Sequence, residues 1–151
     1  MAVRVQSKPF DAGLEAAELT AGRHDIGAVV TFTGLVRGTD GGRSLAAMTL
    51  EHYPGMTEAE LERVEAEALA RWPLAASLVV HRVGELKPGD PIVLVVTASA
   101  HRKAAFEAAE FLMDYLKTRA PFWKKETDAT GAGRWVDARD ADSTAADRWT
   151  Q

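Results

Sequence analysis

A mixed α+β domain is the fold class this sequence predicts, and three observations predict it. Apolar residues recur with helical spacing in three separated stretches, β-branched runs fall between them, and turn signals join several runs as hairpins. Hairpins mixed with helices favour α+β over a doubly wound parallel sheet, in which strands and helices would alternate one by one. The expected order is strand, helix, two strands, helix, two strands, helix, two strands. A chain of 151 residues without repeats, low-complexity stretches or linkers is expected to form a single domain, 1–151.

Val3 to Gln6 reads as a short strand, and Asp11 caps a helix running to about Leu19. Ile26 to Val36 is rich in β-branched and apolar residues, which predicts a buried strand that delivers Arg37 at its end. Gly38-Thr-Asp-Gly-Gly-Arg-Ser44 has turn chemistry throughout and reads as a mobile surface loop. Leu45 to Tyr53 is the next strand, expected to pair antiparallel with the one before.

Pro54-Gly55 ends that strand, and Thr57-Glu-Ala-Glu60 has the capping-box pattern that starts a helix. Its apolar stripe is Leu61, Val64, Ala68, Leu69 and Trp72, with Glu58, Glu62, Glu65 and Glu67 expected to face mostly water. Pro73 closes it. Ser77 to Val83 and Ile92 to Ser99 flank the turn Lys87-Pro-Gly-Asp90, and the apolar Ile92 to Val96 run suits a central strand covered on both faces.

The longest helix starts near Ser99 to His101 and ends near Thr118, with Ala105, Phe106, Ala109, Leu112, Met113 and Leu116 as its apolar stripe. It must stop near Ala120, because the residue before Pro121 is pushed out of the α region. In the extended segment that follows, Phe122 and Lys124 share one side, Trp123 and Lys125 the other. Gly131-Ala-Gly133 is a turn, Arg134 to Ala138 a last strand, and residues 141–151 a loosely held tail.

Composition removes several function classes. A net charge of −4 argues against a nucleic-acid binder that relies on broad phosphate neutralisation. No apolar run is long enough to span a bilayer, and the start of the chain lacks a signal-peptide apolar region, so a cytoplasmic location without membrane contact is expected. Zero cysteine excludes disulfides, thiolate metal sites and a persulfide carrier, and four scattered histidines without paired spacing make no metal site. No glycine-rich nucleotide fingerprint is present.

Against this acidic background four cations, Lys117, Arg119, Lys124 and Lys125, crowd one short stretch around Pro121. Lys117 lies in the last helical turn, where the dipole favours a cation, and the turn at Pro121 aims Lys117 and Lys124 into one space. Clustered lysines beside Met113, Phe122 and Trp123 suit base or nucleophile chemistry, although lysines at a helix end and on an edge strand are also ordinary solubility features. His101, Arg102 and Lys103 at the start of the same helix form an anion site, or a solvated basic turn. Arg37 lies at a loop mouth over a rigid strand. Three readings compete: an enzyme, a binding module for a phosphorylated metabolite, and an RNA-interaction domain built on Phe122 to Lys125.

Gly27-Ala-Val-Val-Thr-Phe-Thr-Gly34 with Val36-Arg37, Leu50-Glu-His-Tyr-Pro-Gly-Met56, Ala100-His-Arg102, and Met113-Asp-Tyr-Leu-Lys117 through Glu126 occur in one order. Together they resemble the large, catalytic subunit family of molybdopterin synthase, over about residues 3 to 140. The resemblance implies an α/β-hammerhead-like fold with an added small β-subdomain and no cofactor. It implies an enzyme that inserts two sulfurs into cyclic pyranopterin monophosphate (precursor Z), taking sulfur from the C-terminal Gly-Gly thiocarboxylate of a small ubiquitin-like carrier subunit. Carried over by position, Lys117 and Lys124 match catalytic lysines. Phe32, Arg37, Met113, Lys125 and Glu126 match pocket residues, and His101, Arg102 and Arg139 match anion-binding residues.

Helix geometry adds an expectation about assembly. His101 and Lys117 stand 16 residues apart on one helix, roughly 24 Å at 1.5 Å per residue, more than a pterin monophosphate spans. Either His101 and Arg102 serve another purpose, or one chain's helix start meets another chain's helix end. The second alternative predicts a homodimer with shared active sites, and a heterotetramer once the carrier subunits join.

Overall fold

The computed structural model of the chain describes residues 2–40, 42–136 and 145–150, and the side chains of these except at positions 40 and 43. Its elements run β1 (Ala2–Gln6), α1 (Ala12–Thr20), β2 (Ala28–Leu35), β3 (Thr39–Asp40), β4 (Arg43–His52), α2 (Met56–Arg71), β5 (Leu74–Arg82), β6 (Gly84–Leu86), β7 (Pro91–Ser99), α3 (Arg102–Thr118), β8 (Phe122–Asp128) and β9 (Gly133–Val136). The α+β class and the expected order hold, with the short β3 and β6 in addition.

Two sheets carry the fold. The first has the order β1-β5-β7-β2, parallel at β1/β5 and antiparallel elsewhere. Period-2 alternation sorts its side chains between two layers. Leu78, Val80, Leu94 and Val96 pack against Phe10, Ala16 and Leu19 on the α1 side, while Val79, Val93 and Val95 join Leu61, Ala68, Phe111 and Leu112 of α2 and α3 on the other. β7 is the central strand covered on both faces. The second sheet has the order β3-β4-β8-β9, with β6 also on β4, and a small core of Val36, Met48, Leu50 and Leu86.

Several local expectations change. β2 pairs with β7 and not with β4, and it is an edge strand with Val29, Phe32 and Leu35 exposed. Its apolar composition reflects one packed face against α3, not burial on both. The segment expected as a loop at 38–44 contains the start of a hairpin, with Thr39 paired to Ser44. Helix α2 starts two residues early: Gly55 is its N-cap at φ 86°, a left-handed conformation that suits glycine, and Glu58 accepts a hydrogen bond from the Gly55 N–H at 3.0 Å. Thr57 is buried, accepting from Tyr53 N–H and donating to the Pro121 carbonyl at 3.1 Å.

Glu65 does not face water. It is buried and accepts the Ser77 hydroxyl at 2.6 Å, and burial pushes its carboxyl above the usual range. Phe106 lies one position off the inward stripe of α3 and is exposed, while Phe111 and Tyr115 fill the core instead. The expected loose tail is docked where it is described. Trp149 packs edge-on against Trp72 and Phe111 and donates its indole N–H to Asp114 at 2.6 Å, and Arg148 pairs with Glu110 at 2.6 Å. A polar composition concealed one aromatic anchor.

Candidate functional site

The break at Pro121 builds the site. Helix α3 ends with the Arg119 N–H bonded to the Tyr115 carbonyl at 2.8 Å, and Phe122 N–H closes a tight turn onto the Ala120 carbonyl at 2.8 Å. β8 then pairs antiparallel with β4 in a register that sets Phe122 opposite His52, Lys124 opposite Leu50 and Glu126 opposite Met48. Alternation along β8 turns Phe122, Lys124 and Glu126 inward. Lys117, in the last turn of α3, meets them from the side.

The space between is an open cleft of about 410 Å³ bordered by Arg37, Lys117, Lys124 and Glu126, with His81 and Phe122 beside them. Arg37 follows Val36, whose N–H and carbonyl are strapped to the turn at Asp90 and Gly89 by bonds of 2.9 and 2.8 Å. A second recess of about 80 Å³ holds Phe32 and Met113, and Lys117 and His81 border both spaces. Gly34 also lines this recess, and a Cβ there would lie 2.7 Å from a Val93 methyl, closer than packing allows.

The other expected residues lie elsewhere. Lys125 falls on the outer face of β8, opposite Trp135 of β9, with its stem across Gly133. Arg119 turns back over the Tyr115 ring, 4.1 Å from its centroid. His101 caps the start of α3 and Arg102 opens it, both exposed and a full helix length from Lys117. Arg139 lies outside the described residues.

Electrostatically the cleft sets three cations, Arg37, Lys117 and Lys124, against one buried carboxylate. Glu126 is 2% exposed, with Arg134 at 3.8 Å. Such a wall holds an anionic group and sets ammonium donors where negative charge develops on a reacting carbonyl.

His81 is the site residue that sequence reasoning missed. β5 alternation places it on the Val79 side, toward α3. It is 8% exposed, its ring stacks on Phe122 with centroids 3.8 Å apart, and its Nδ1 lies 2.8 Å from the Arg82 carbonyl. Burial, followed by the nearby charges of Lys117 and His52, lowers its pKa to about 4, against the raising effect of the Arg82 carbonyl. The available signal was an imidazole on the face of the strand that carries Ser77 and Val79 toward α2 and α3.

Comparison with known proteins identifies the family. The chain is 60% identical over 148 residues to a molybdopterin synthase catalytic subunit from Mesorhizobium japonicum, covering 97% of this chain and 92% of that one. A solved structure of a molybdopterin biosynthesis MoaE protein from Burkholderia ambifaria superposes with a TM-score of 0.84 at 52% identity, covering 99% and 97% of the two chains. A protein–protein complex of subunits 1 and 2 of molybdopterin-converting factor from Helicobacter pylori shares the fold, with a TM-score of 0.72, 21% identity, and 91% and 90% of the chains covered. A family model described as MoaE protein matches residues 5–119, and with these relatives it shows that the chain belongs to the MoaE family.

Proposed function

We propose that the chain is the catalytic subunit of a molybdopterin synthase, inserting two sulfurs into cyclic pyranopterin monophosphate from the thiocarboxylate tail of a small carrier subunit. The observation that carries this reading is the convergence of Lys117 and Lys124 with Arg37 and Glu126 on one cleft, in a chain of this family. The cleft is open at one side, as an extended Gly-Gly tail without side chains requires.

The tail's thiocarboxylate sulfur displaces an oxygen substituent from a carbon of the pterin side chain. The C–S bond forms as that carbon's C–O bond breaks, the oxygen leaves with a proton or with its phosphate, and substrate and carrier are joined through a thioester. Lys117 and Lys124 polarise its carbonyl and move protons as charge develops there. Water then cleaves the thioester, returning a carboxylate to the carrier and leaving sulfur on the pterin. A second charged carrier supplies the second sulfur. Absence of cysteine fits this route, because sulfur arrives on the partner and needs no persulfide on this chain.

Arg37 is the anion-holding group that the cleft itself supplies, while His101 and Arg102 come from a second copy of the chain in a homodimer. With one carrier on each chain the assembly is a heterotetramer, working in the cytoplasm. No helix among the described residues is long and apolar enough to cross a membrane. The test is reconstitution: purified chain, thiocarboxylated carrier and precursor Z should yield the dithiolene product. Binding of precursor Z without turnover would mark a binding module instead.

A further inference from the structure

We propose that His81 is a positioning residue for Lys117, an unprotonated imidazole acceptor that holds the lysine ammonium toward Lys124 across the cleft. A backbone carbonyl only accepts, so the 2.8 Å contact with the Arg82 carbonyl puts the ring proton on Nδ1. Nε2 is left with its lone pair. The ring cannot swing away, because it is stacked on Phe122 at an interplanar angle of 20°, and Phe122 stands two residues before Lys124 on β8. One aromatic stack thus ties the strand carrying His81 to the strand carrying Lys124, while Lys117 borders the same two recesses as His81.

The groups around the ring keep it neutral. Lys117 of α3 and His52 of β4 both disfavour a second proton, as burial does, and Lys124 of β8 adds a further cation to the same cleft. Glu58 of α2 stands 3.7 Å from His52 and faces it, not His81. A neutral acceptor is the form that suits an ammonium neighbour, since a charged imidazole would repel it.

This inference rests on the reading of the cleft as the sulfur-transfer site, and the test separates the two. His81→Phe keeps the stack and removes the acceptor, whereas His81→Gln returns a carbonyl oxygen near the position of Nε2. In the reconstituted assay His81→Phe should lower kcat by about 100-fold with little change in KM, the loss expected when a reacting group is misplaced. Its alkaline pH limb should move to lower pH, and His81→Gln should recover most of the rate and the wild-type profile. Wild-type kcat and profile in His81→Phe, or equal loss in His81→Gln, would overturn the proposal. A readout independent of these variants is the imidazole 15N spectrum of the otherwise unchanged protein. His81 Nε2 should appear unprotonated at neutral pH and move in Lys117→Ala, and an unmoved resonance would also overturn it. Lys117→Ala retaining turnover would sink the cleft reading itself, whereas an inactive Lys117→Ala beside a fully active His81→Phe would sink only the role of His81.

Discussion

The imidazole of His81 lies flat on the ring of Phe122, 3.8 Å between centroids, and both side chains border the cleft that holds Lys117 and Lys124. Burial of this imidazole makes folding stability sensitive to acid. His81 takes a proton at about 4 in the folded chain and near 6.5 when unfolded. Between those values the unfolded state binds more protons, so stability falls as pH drops through the window and levels off below it. The loss amounts to about 3 kcal/mol, at 1.36 kcal/mol per pH unit. Chemical denaturation of wild type and His81→Phe from pH 7 to pH 4 should show the difference between them changing by that order. Parallel curves would mean that His81 titrates normally.

Glu65 has the opposite sign. Its carboxyl is raised by burial despite the Ser77 hydroxyl, so the folded state favours the protonated form, and stability is lost as pH rises from the unfolded value through the folded one. Glu65→Gln should therefore raise the melting temperature at pH 7 to 8 and lose that advantage near pH 4. An advantage independent of pH would point to packing, not charge.

The two lysines proposed as catalytic should separate activity from stability. Lys117→Ala should abolish dithiolene formation with a nearly unchanged melting temperature, because a lysine in the last helical turn contributes about 0.3–1 kcal/mol. Lys124→Ala should behave in the same direction. Parallel loss of folding and activity would assign both lysines a structural part.

Much of this site was legible in the sequence because its causes are local. Pro121 fixes the helix end, and strand alternation then separates Lys124 from Lys125. That alternation already placed Lys125 on the opposite face of the strand from Lys124. His81 was not legible, since Phe122, on which it stacks, and Lys117, which borders the same recesses, come from other elements that only the tertiary fold brings near β5. The partnering of β2 was misread for a related reason: a turn-rich link to β4 looks like a hairpin, but strand order is decided by which faces α3 covers. Trp149 escaped notice because one aromatic residue in an Asp/Ala-rich segment has no periodic neighbours to announce a docked face.

Trp149 should nonetheless count in stability. Its ring meets Trp72 and Phe111 at 5.5 Å each, and its N–H reaches Asp114. Trp149→Ala should cost about 2 kcal/mol, below the usual range for a fully buried tryptophan because this one is only partly covered. The melting temperature should fall by about 4–8 °C, at roughly 2–4 °C per kcal/mol for a chain of this size. An unchanged melting temperature would show that the terminal segment is not held in solution.

Helix α3 supplies the last prediction. It runs from Arg102 to Thr118, 17 residues, so Arg102 and Lys117 stand at opposite ends of about 22 Å of helix and cannot touch one pterin monophosphate within a chain. In a two-fold dimer every contact is repeated, so a site made of Lys117 and Lys124 from one copy and His101 and Arg102 from the other occurs twice. Lys117→Ala and Arg102→Ala homodimers should each be inactive, because every site lacks one group. In a mixed dimer one site carries both substitutions and the other carries neither, so mixing the variants should restore activity in up to half of the sites of mixed dimers. Subunit exchange is checked by mass on differently tagged chains. If exchange is complete and activity stays absent, the sites are not shared, and His101 and Arg102 have no part in holding the substrate.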